Sequence, residues 1–226
     1  MLATADDVLP QGFQLLPQVL DAERRCALID HLSTLPPGAA GRRDLLDQPW
    51  CQDLARWLRS QPPVQPFLPA DQVAVQCTLF EKSPDRNWLV TPHQDLAIPV
   101  ADRVERAALG GWSVKEGQHF VLAPAEVLGR LMALRLHLDD ATAADGGLRF
   151  VPGSHVAGIL DDAEAGLWRE RAGELIADAR AGDALLMRPL VLHASSKATA
   201  QGRRRVLHIL FGPRELPYGL QWGRSV

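Results

Sequence analysis

The sequence predicts a mainly β domain, a jelly-roll barrel with flanking helices, and three observations support this fold class. From residue 72 onward, short runs rich in Val, Leu and Ile recur, which is typical of β-strands. Gly-containing turns separate these runs, as at 145–147, 182–183 and 202. Two helical patterns precede the first run, so we expect helices that brace one outer sheet.

Length and composition indicate one domain. A chain of 226 residues can bury a substantial core. We divide it into an N-terminal helical support, 1–70, and a β core, 72–213, with a lid-like insertion at 101–130. Hydrophobic residues make up 46% and charged residues 23%, which is usual for a soluble globular protein. The formal net charge of −3 gives no reason to expect nucleic acid as a partner.

Targeting and membrane signals are missing from the sequence pattern. No apolar run approaches the roughly 18 residues that a spanning helix needs. Residues 1–12 lack a basic segment followed by a hydrophobic stretch. Cys26, Cys51 and Cys77 are odd in number and lack metal-ligand spacing, which fits a reducing compartment. We therefore expect a cytoplasmic protein with no membrane partner.

Two helices are predicted before the β core. Asp21 can cap a helix that begins at Ala22, and the segment Pro36-Pro37-Gly38 ends it. A second helix is expected over 49–59, before the helix-breaking Pro62-Pro63. Its apolar side would carry Trp50, Leu54, Trp57 and Leu58.

The β core is predicted as a series of short strands. They are expected at 73–80, 96–100, 131–138, 148–151, 174–177, 184–187, 191–194 and 205–211. Residues 102–130 are expected to be irregular, with a short helix at 125–130. A further surface helix is expected near 163–171. A site would lie at the mouth of the barrel.

Two distant segments carry the residues that predict chemistry. In an extended chain His93 and Asp95 point to the same side, because successive side chains alternate. With His193 they form the set of two imidazoles and one carboxylate that holds non-haem iron(II) and leaves three positions open. Arg204 is planar and always charged, as an anchor for a dicarboxylate co-substrate must be. These residues predict an oxygenase.

A second His-x-Asp pair, His137 and Asp139, competes for the ligand role. It lies where a predicted strand runs into a turn, so we expect Asp139 to cap the turn. We expect His137 to be a hydrogen-bonded core residue. His93 follows Pro92, which favours an extended backbone, and has the polar neighbours that a barrel mouth requires. We therefore favour His93 and Asp95.

Seven segments of the β core form a recognisable series. In order they are LFEKSPD at 79–85, PHQDL at 92–96, RLHLDD at 135–140, GGLRFVPGSH at 146–155, AGDALL at 181–186, LVLHAS at 190–195 and GRRR at 202–205. This series resembles the phytanoyl-CoA dioxygenase-like family of iron(II)/2-oxoglutarate oxygenases. The resemblance covers about residues 72–213. It implies a double-stranded β-helix, bound iron(II), and oxidative decarboxylation of 2-oxoglutarate with O2.

Carried over by position, the resemblance assigns a role to five residues. His93, Asp95 and His193 would be the iron ligands. Arg204 would bind the distal carboxylate of 2-oxoglutarate, and Ser195 would hydrogen-bond the same group. Arg203 and Arg205 face away from Arg204 on one strand, so we interpret them as surface charge.

Three residues on strands expected to line the pocket are candidate co-substrate contacts: Gln76, Thr78 and Arg135. A buried arginine needs an anion. A carboxylate ligand, Asp139 or Asp140 would supply the anion for Arg135.

Gln94 and Trp112 are candidate substrate contacts. Trp112 lies in the insertion between glycines that would let it close over a substrate, or it is a hydrophobic peg that docks the loop. Trp88 lines the entrance or packs against it. His155 is more typical of a turn than of a ligand set, and His31, His119 and His208 are interpreted as structural.

The predicted function is an iron(II)- and 2-oxoglutarate-dependent dioxygenase that hydroxylates or otherwise oxidises a small molecule, with release of succinate and CO2. A protein-modifying hydroxylase remains open within this class. Halogenation needs a small residue in place of the carboxylate ligand, and Asp95 is present. Two alternatives come from other classes: a 2-oxoglutarate-independent cupin-type isomerase or lyase, and a non-catalytic barrel that only binds a ligand.

Overall fold

The computed structural model describes residues 9–36 and 41–226, and most of its regular structure is β. The strands are β1 (Phe13–Leu16), β2 (Gly41–Arg42), β3 (Gln72–Lys82), β4 (Val90–His93), β5 (Ala97–Val100), β6 (Gly110–Lys115), β7 (Gln118–Leu122), β8 (Met132–His137), β9 (Leu148–Phe150), β10 (Leu175–Ile176), β11 (Ala184–Met187), β12 (His193–Ser195) and β13 (Arg204–Pro213). The helices are α1 (Ala22–Ser33), α2 (Pro49–Ser60), α3 (Ala125–Leu128) and α4 (Asp162–Ala172).

The strands form three antiparallel sheets. The large sheet has the order β1-β11-β8-β13-β3-β2, and a four-stranded sheet has the order β10-β9-β12-β4. A third sheet, β5-β7-β6, is built from the insertion. The two larger sheets pack their apolar side chains into one core cluster, as Phe150 and Met187 illustrate. This is the predicted fold class, a double-stranded β-helix with flanking helices.

The helices α1 and α2 cover the outer face of the large sheet. Asp21 caps α1 as predicted, because its carboxylate accepts a hydrogen bond from the backbone N–H of Arg24 at 2.7 Å. The helix ends at Ser33, and Pro37 and Gly38 lie outside the described residues. In α2 the buried side chains are Cys51, Leu54, Ala55 and Leu58. Trp50 and Trp57 are only partly buried against this cluster.

Alternation along β3, β8 and β13 gives the large sheet two different faces. Cys77, Leu134 and Ile209 point outward into the cluster beneath the helices. The opposite face carries polar side chains at the next positions, among them Thr78, Arg135 and His208. The sheet therefore places a polar surface inside the fold, where a site can form.

The insertion differs from the sequence prediction. Residues 102–130 were expected to be irregular, but they contain the hairpin β6–β7, which pairs with β5. Glu116 and Gly117 form its two-residue loop with φ angles of 51° and 78°. Two positive φ angles are what a tight primed turn requires. The predicted helix is present but shorter, at α3.

The N-terminal segment also contributes strands. β1 pairs with β11 and β2 pairs with β3, so residues before the β core extend both edges of the large sheet. Neither strand was predicted, whereas β4 lies in the segment that was expected to be extended at His93. Within the described residues, no helix has the length and apolar character that crossing a membrane requires.

Candidate active site

The two distant segments meet at one end of the four-stranded sheet. β12 pairs with β4 so that His193 lies opposite His93. Nε2 of His93 lies 3.6 Å from Oδ1 of Asp95, and Nε2 of His193 lies 3.9 Å from Oδ2. One ligand atom from each residue lies within 4.8 Å of the other two. The structure thus brings together the three residues that the sequence singled out.

Backbone carbonyls orient both imidazoles in the same way. Nδ1 of His93 lies 2.9 Å from the carbonyl oxygen of Thr91, and Nδ1 of His193 lies 2.9 Å from that of Val191. A carbonyl only accepts, so each ring carries its proton on Nδ1. Each Nε2 lone pair is therefore directed at the shared centre, which is the arrangement of metal-binding histidines.

Electrostatics keep His193 and Asp95 in the forms that a divalent cation binds, whereas at His93 burial is outweighed by the Asp95 carboxylate, which raises the pKa of that imidazole. Burial lowers the pKa of His193 to about 4, so this imidazole is neutral at neutral pH. Burial alone would raise the pKa of Asp95, but His193 and His93 hold that pKa well below its ordinary value. One carboxylate and two imidazole nitrogens therefore face each other, a donor set that suits iron(II).

Gln94, between the two ligands on its segment, is a tether. Its amide nitrogen donates to the carbonyls of Gly158 at 2.8 Å and Leu190 at 2.6 Å. Its amide oxygen accepts from the N–H of Leu160 at 2.8 Å. The polar atoms of Gln94 are thus engaged by backbone, and its hydrogen bonds give no support to the expected contact with substrate.

A cavity of about 430 Å³ opens beside the three residues. All five predicted co-substrate contacts line it: Gln76, Thr78, Arg135, Ser195 and Arg204. Much of the remaining wall is apolar, with Ile98, Phe120 and Leu131 as examples. The cavity therefore combines a few polar groups with an apolar lining, as small-molecule sites do.

Arg204 and Ser195 lie together at a buried end of this cavity. Arg204 is 4% exposed, and its Nη1 donates to the carbonyl oxygen of Gly146. Its Nε has no hydrogen-bond partner among the described residues. Ser195 donates its hydroxyl proton to the same carbonyl at 2.8 Å. A cation with an unpaired N–H beside a hydroxyl is suited to bind a carboxylate.

Lys82 also lies at the end of the cavity that holds Arg204 and Ser195, and the sequence did not predict it as a site residue. It lies opposite Arg204 in the β3–β13 register and is 1% exposed. Its ammonium donates to Ser195 Oγ at 2.6 Å and to the Ser196 carbonyl at 2.5 Å. Burial, together with the Arg204, Arg135 and Arg149 charges, lowers the pKa of Lys82 to about 8.

Gly146 permits this close packing. Its φ angle is 68°, and a Cβ at this position would lie 2.6 Å from the Ser196 carbonyl oxygen and 3.0 Å from Lys82 Nζ. Only glycine leaves room for the main chain to approach both groups. The Gly146-Gly147 turn, predicted as a strand connection, therefore also supplies the carbonyl that orients Arg204.

Arg135 lies on the same inner face, nearer the candidate metal ligands. Its Nη1 donates to Nδ1 of His208 at 3.1 Å. His208 lines the cavity, so its interpretation as a purely structural residue is corrected. Burial and Arg135 lower the pKa of His208 to about 3, which keeps it a neutral acceptor. Side chains alternate along a strand, so residue 208 faces the same side as Arg204. This alternation would have identified His208 as a cavity residue.

Asp139 and Asp140, two of the three expected anions for Arg135, are paired with other arginines. Asp139 forms a bidentate ion pair with Arg205, with both N–O distances 2.8 Å. Asp140 pairs with Arg180 at 3.1 Å. Asp139 is therefore not simply a turn cap, and Arg205 is not free surface charge. Arg203 pairs with Glu81 at the surface, close to its predicted role.

His137, in the competing His-x-Asp pair, is buried away from the candidate ligands. It is 3% exposed, and neither ring nitrogen has a hydrogen-bond partner in residues 9–36 and 41–226. The prediction that His137 is a core residue is confirmed, but the prediction that it is hydrogen-bonded is wrong. Burial, Arg135 and Arg204 lower the pKa of His137 to about 3, which keeps the ring neutral.

The remaining candidates divide between cavity and core. Trp112 is partly buried against the inner apolar cluster and is not a lining residue of the cavity, which favours the hydrophobic peg. Trp88 does line the cavity, and its ring lies 5.4 Å from Lys82 Nζ. His155 is buried outside the cavity lining. His31 stacks on the Trp50 ring, with centroids 5.3 Å apart, as a structural residue would.

The fold and site together define a double-stranded β-helix protein with a facial group of two histidines and one aspartate. The chain belongs to the phytanoyl-CoA dioxygenase family, whose model matches residues 37–206. No curated protein sequence matches the chain.

Several solved structures share the fold at low sequence identity. The α-ketoglutarate-dependent epimerase SnoN from nogalamycin biosynthesis is 18% identical, with a TM-score of 0.65 over 92% of this chain and 82% of SnoN. HygX from Streptomyces hygroscopicus, crystallised with nickel and 2-oxoglutarate, is 20% identical, with a TM-score of 0.61 over 90% and 83%. EctD from S. alaskensis is 17% identical, with a TM-score of 0.66 over 96% and 79%.

Proposed function

We propose that this protein is an iron(II)- and 2-oxoglutarate-dependent oxygenase that hydroxylates or otherwise oxidises a small molecule, with release of succinate and CO2. The observation that carries the proposal is the pair of freed Nε2 atoms facing Asp95 in a cavity whose far end holds Arg204 and Ser195. Family membership supports it. So does the fold shared with HygX, which has been crystallised with iron and with 2-oxoglutarate.

Each group of residues has a defined task in this proposal. His93, Asp95 and His193 would hold iron(II) on one side, which leaves positions for the co-substrate and O2. When bound, the iron with 2-oxoglutarate and O2 supplies the oxidant for a substrate C–H bond. Arg204 and Ser195 would bind the distal carboxylate, and apolar side chains around the cavity would exclude water.

Lys82 strengthens the assignment of the far end. A distal carboxylate that reached Arg204 would also meet the Lys82 ammonium, which lies opposite Arg204 and is bonded to Ser195. Gln76, Thr78 and Arg135 line the cavity wall and would contact the rest of the co-substrate. These buried cations favour a dicarboxylate co-substrate over the 2-oxoglutarate-independent isomerase or lyase.

Enzymes with this chemistry can hydroxylate a substrate or oxidise it in another way. Hydroxylation is the proposed outcome. The structures that share the fold include an epimerase and a carbocyclase, SnoN and SnoK, so one fold accompanies different outcomes. We also propose a cytoplasmic location. Free Cys26, Cys51 and Cys77 support it, because disulfides are rare there.

A thermal-shift experiment tests the metal site directly. Manganese(II) should raise Tm, and 2-oxoglutarate should raise it further only when the metal is present. In His93→Ala or Asp95→Ala protein both shifts should disappear. The competing motif provides the matched control, so His137→Ala protein should keep both. If manganese stabilises the His93→Ala protein as much as the parent, the ligand assignment is wrong.

Turnover tests the reaction. Iron(II), 2-oxoglutarate and a library of metabolites should yield succinate that depends on the metal and on one substrate class. Arg204→Ala should raise the KM for 2-oxoglutarate by about tenfold to a hundredfold, since a charge-assisted hydrogen bond is lost. An unchanged KM would reject that role for Arg204.

A further inference from the structure

The cavity carries a surplus of positive charge. Its lining includes five cationic side chains, Arg43, Lys82, Lys115, Arg135 and Arg204, but Asp95 is its one carboxylate. The whole chain has the opposite balance, with a formal net charge of −3. Cations concentrated in a cleft raise the local concentration of anions and speed their association.

The proposed metal and co-substrate do not remove this surplus. On the proposed function, iron(II) and the two carboxylates of 2-oxoglutarate cancel each other in formal charge. Asp95 offsets one further positive charge in this count, and Arg43 is balanced by Glu116, from which its Nη1 lies 3.0 Å. Apart from Arg204, the proposed anchor of the co-substrate, the cations Lys82, Arg135 and Lys115 remain. Cations in a partly dehydrated cavity are costly unless an anion pairs with them.

Lys115 is the one of these three that lies at the mouth. It ends β6 on the insertion sheet and is exposed, whereas Lys82 and Arg135 are buried on the large sheet. Its Nζ lies 5.1 Å from the centre of the Phe120 ring, which also lines the cavity. Among the described residues, no carboxylate lies within ion-pairing distance of Lys115.

The hairpin tip that carries Lys115 is fixed at two points. Glu116 accepts hydrogen bonds from the backbone N–H and the Nη1 of Arg43, each at 3.0 Å. Gln118 donates from its amide to the carbonyl of Val100 at 2.5 Å. The neighbouring carboxylate is thus engaged elsewhere, and within the described part of the chain the Lys115 ammonium contacts the Phe120 ring but no carboxylate. Such a group is preorganised for a ligand.

We propose that the substrate carries an anionic group, a carboxylate or a phosphate ester, which Lys115 binds at the cavity mouth. The co-substrate is anchored at Arg204, a buried position on a different sheet, so the two anionic ligands use separate cations. The inference deepens the proposed function by naming the substrate class for the same cavity.

Matched compound pairs test the substrate class. Succinate release would be measured with carboxylic acids against their methyl amides, and with monophosphate esters against their parent alcohols. We expect the anionic member of a pair to support turnover at least about tenfold better, as kcat/KM, than its neutral partner. The two kinds of pair distinguish carboxylate from phosphate. Equal turnover of neutral partners would overturn the proposal.

Substitution of Lys115 tests the residue. Lys115→Gln should raise the KM for the anionic substrate by about tenfold or more and leave the KM for 2-oxoglutarate unchanged. Lys115→Arg should restore most of the loss. Lys197→Gln is the matched control, since Lys197 is exposed and outside the cavity lining. An unchanged substrate KM in Lys115→Gln protein would refute the assignment.

A binding measurement covers the case in which no compound in the library is turned over. With manganese(II) and 2-oxoglutarate saturating, inorganic sulfate should raise Tm more in parent and Lys197→Gln protein than in Lys115→Gln protein, at matched ionic strength. Identical sulfate responses in all three would overturn the proposal. Failure of the proposed function has a different signature, the loss of the 2-oxoglutarate-dependent Tm shift in the parent protein.

Discussion

At the scale of single residues, the cavity depends on buried cations that form no direct ion pair with a carboxylate of the described residues. Lys82, Arg135 and Arg204 share the inner face of the large sheet, and each has its pKa lowered chiefly by burial. Arginine resists deprotonation in proteins, but lysine does not. Lys82 is therefore the cation whose charge depends on pH in the working range.

Binding of 2-oxoglutarate should weaken in alkaline solution because of Lys82. Its pKa of about 8 means that the ammonium is charged below pH 8 and increasingly neutral above it. A distal carboxylate prefers the charged form, so KM for 2-oxoglutarate should rise above pH 8 by at most about tenfold per pH unit. Arg204, Arg135 and Arg149 face Lys82 and stay charged through this range.

A lysine substitution separates this effect from general alkaline loss. Lys82→Met protein should have a KM for 2-oxoglutarate about tenfold higher at pH 7, with a flat profile from pH 7 to 9. Lys197→Met protein, altered at an exposed lysine outside the cavity, should keep the parent profile. A profile in Lys82→Met protein that still rises above pH 8 would assign the titration to another group.

His137 should make the protein sensitive to mild acid. Its pKa is about 3 in the folded state and 6.5 in the unfolded state, so between these values the unfolded chain binds more protons. The free energy of unfolding should therefore fall as pH falls below 6.5, by about 2 kcal/mol at pH 5 from this residue. His137→Leu should make the acid limb of stability shallower in urea titrations, whereas substitution of the exposed His31 should not.

At the scale of elements, the predictions succeeded where local signals agreed with tertiary packing. β11 was predicted with its observed bounds, because ALLM between turns is buried on both faces. The cap of α1 was predicted from Asp21. β3 was predicted to end at Phe80 but continues to Lys82, and those two added residues place Lys82 opposite Arg204. The segment KSPD at 82–85 is typical of a turn, so the strand was predicted to end too early.

The hairpin was missed for a different reason. Its first strand is Gly110-Gly111-Trp112-Ser113-Val114-Lys115, and glycines weaken the strand pattern. β6 pairs with β7, and β7 pairs on its other side with β5, which supports the hairpin. The β5–β7 pairing is a long-range contact that local patterns do not report. The residue types and their order suggested that His93 and His193 meet. No local pattern indicated that Lys115 lines the same cavity, because the position of the hairpin depends on long-range pairing.

Glu116 should control how firmly the hairpin tip is held. Glu116→Gln weakens the bonds to Arg43, and we expect faster amide hydrogen exchange over 110–122 with a loss of global stability of at most about 1 kcal/mol. Glu105→Gln is the matched control, because Glu105 pairs with Arg103 at 2.9 Å on the surface. Exchange that stays unchanged in Glu116→Gln protein would show that strand pairing alone fixes the tip.

At the scale of the whole molecule, the two larger sheets are joined through a shared core next to the candidate ligands. Phe150 is fully buried and stacks on Phe13, with ring centroids 4.3 Å apart. Its ring centroid also lies 5.9 Å from that of His193. The packing that stabilises the fold is therefore continuous with the wall that positions His193, a candidate metal ligand.

Phe150→Ala should consequently affect stability and metal binding together. We expect a loss of about 3–5 kcal/mol in the free energy of unfolding, from lost burial and the resulting cavity. The affinity for manganese(II) should fall as well, because the space beside His193 lets the ring move. Phe67→Ala, at the edge of the helical cluster, should cost less stability and leave metal affinity intact. Chemical denaturation and metal titration would measure both quantities.

The pairing of β1 with β11 has a practical consequence for handling the protein. Shortening the chain to begin after Leu16 would leave the main-chain amides and carbonyls of Ala184–Met187 unpaired along one border. Such a border is a template for strands of neighbouring molecules. We expect shortened preparations to self-associate in light scattering.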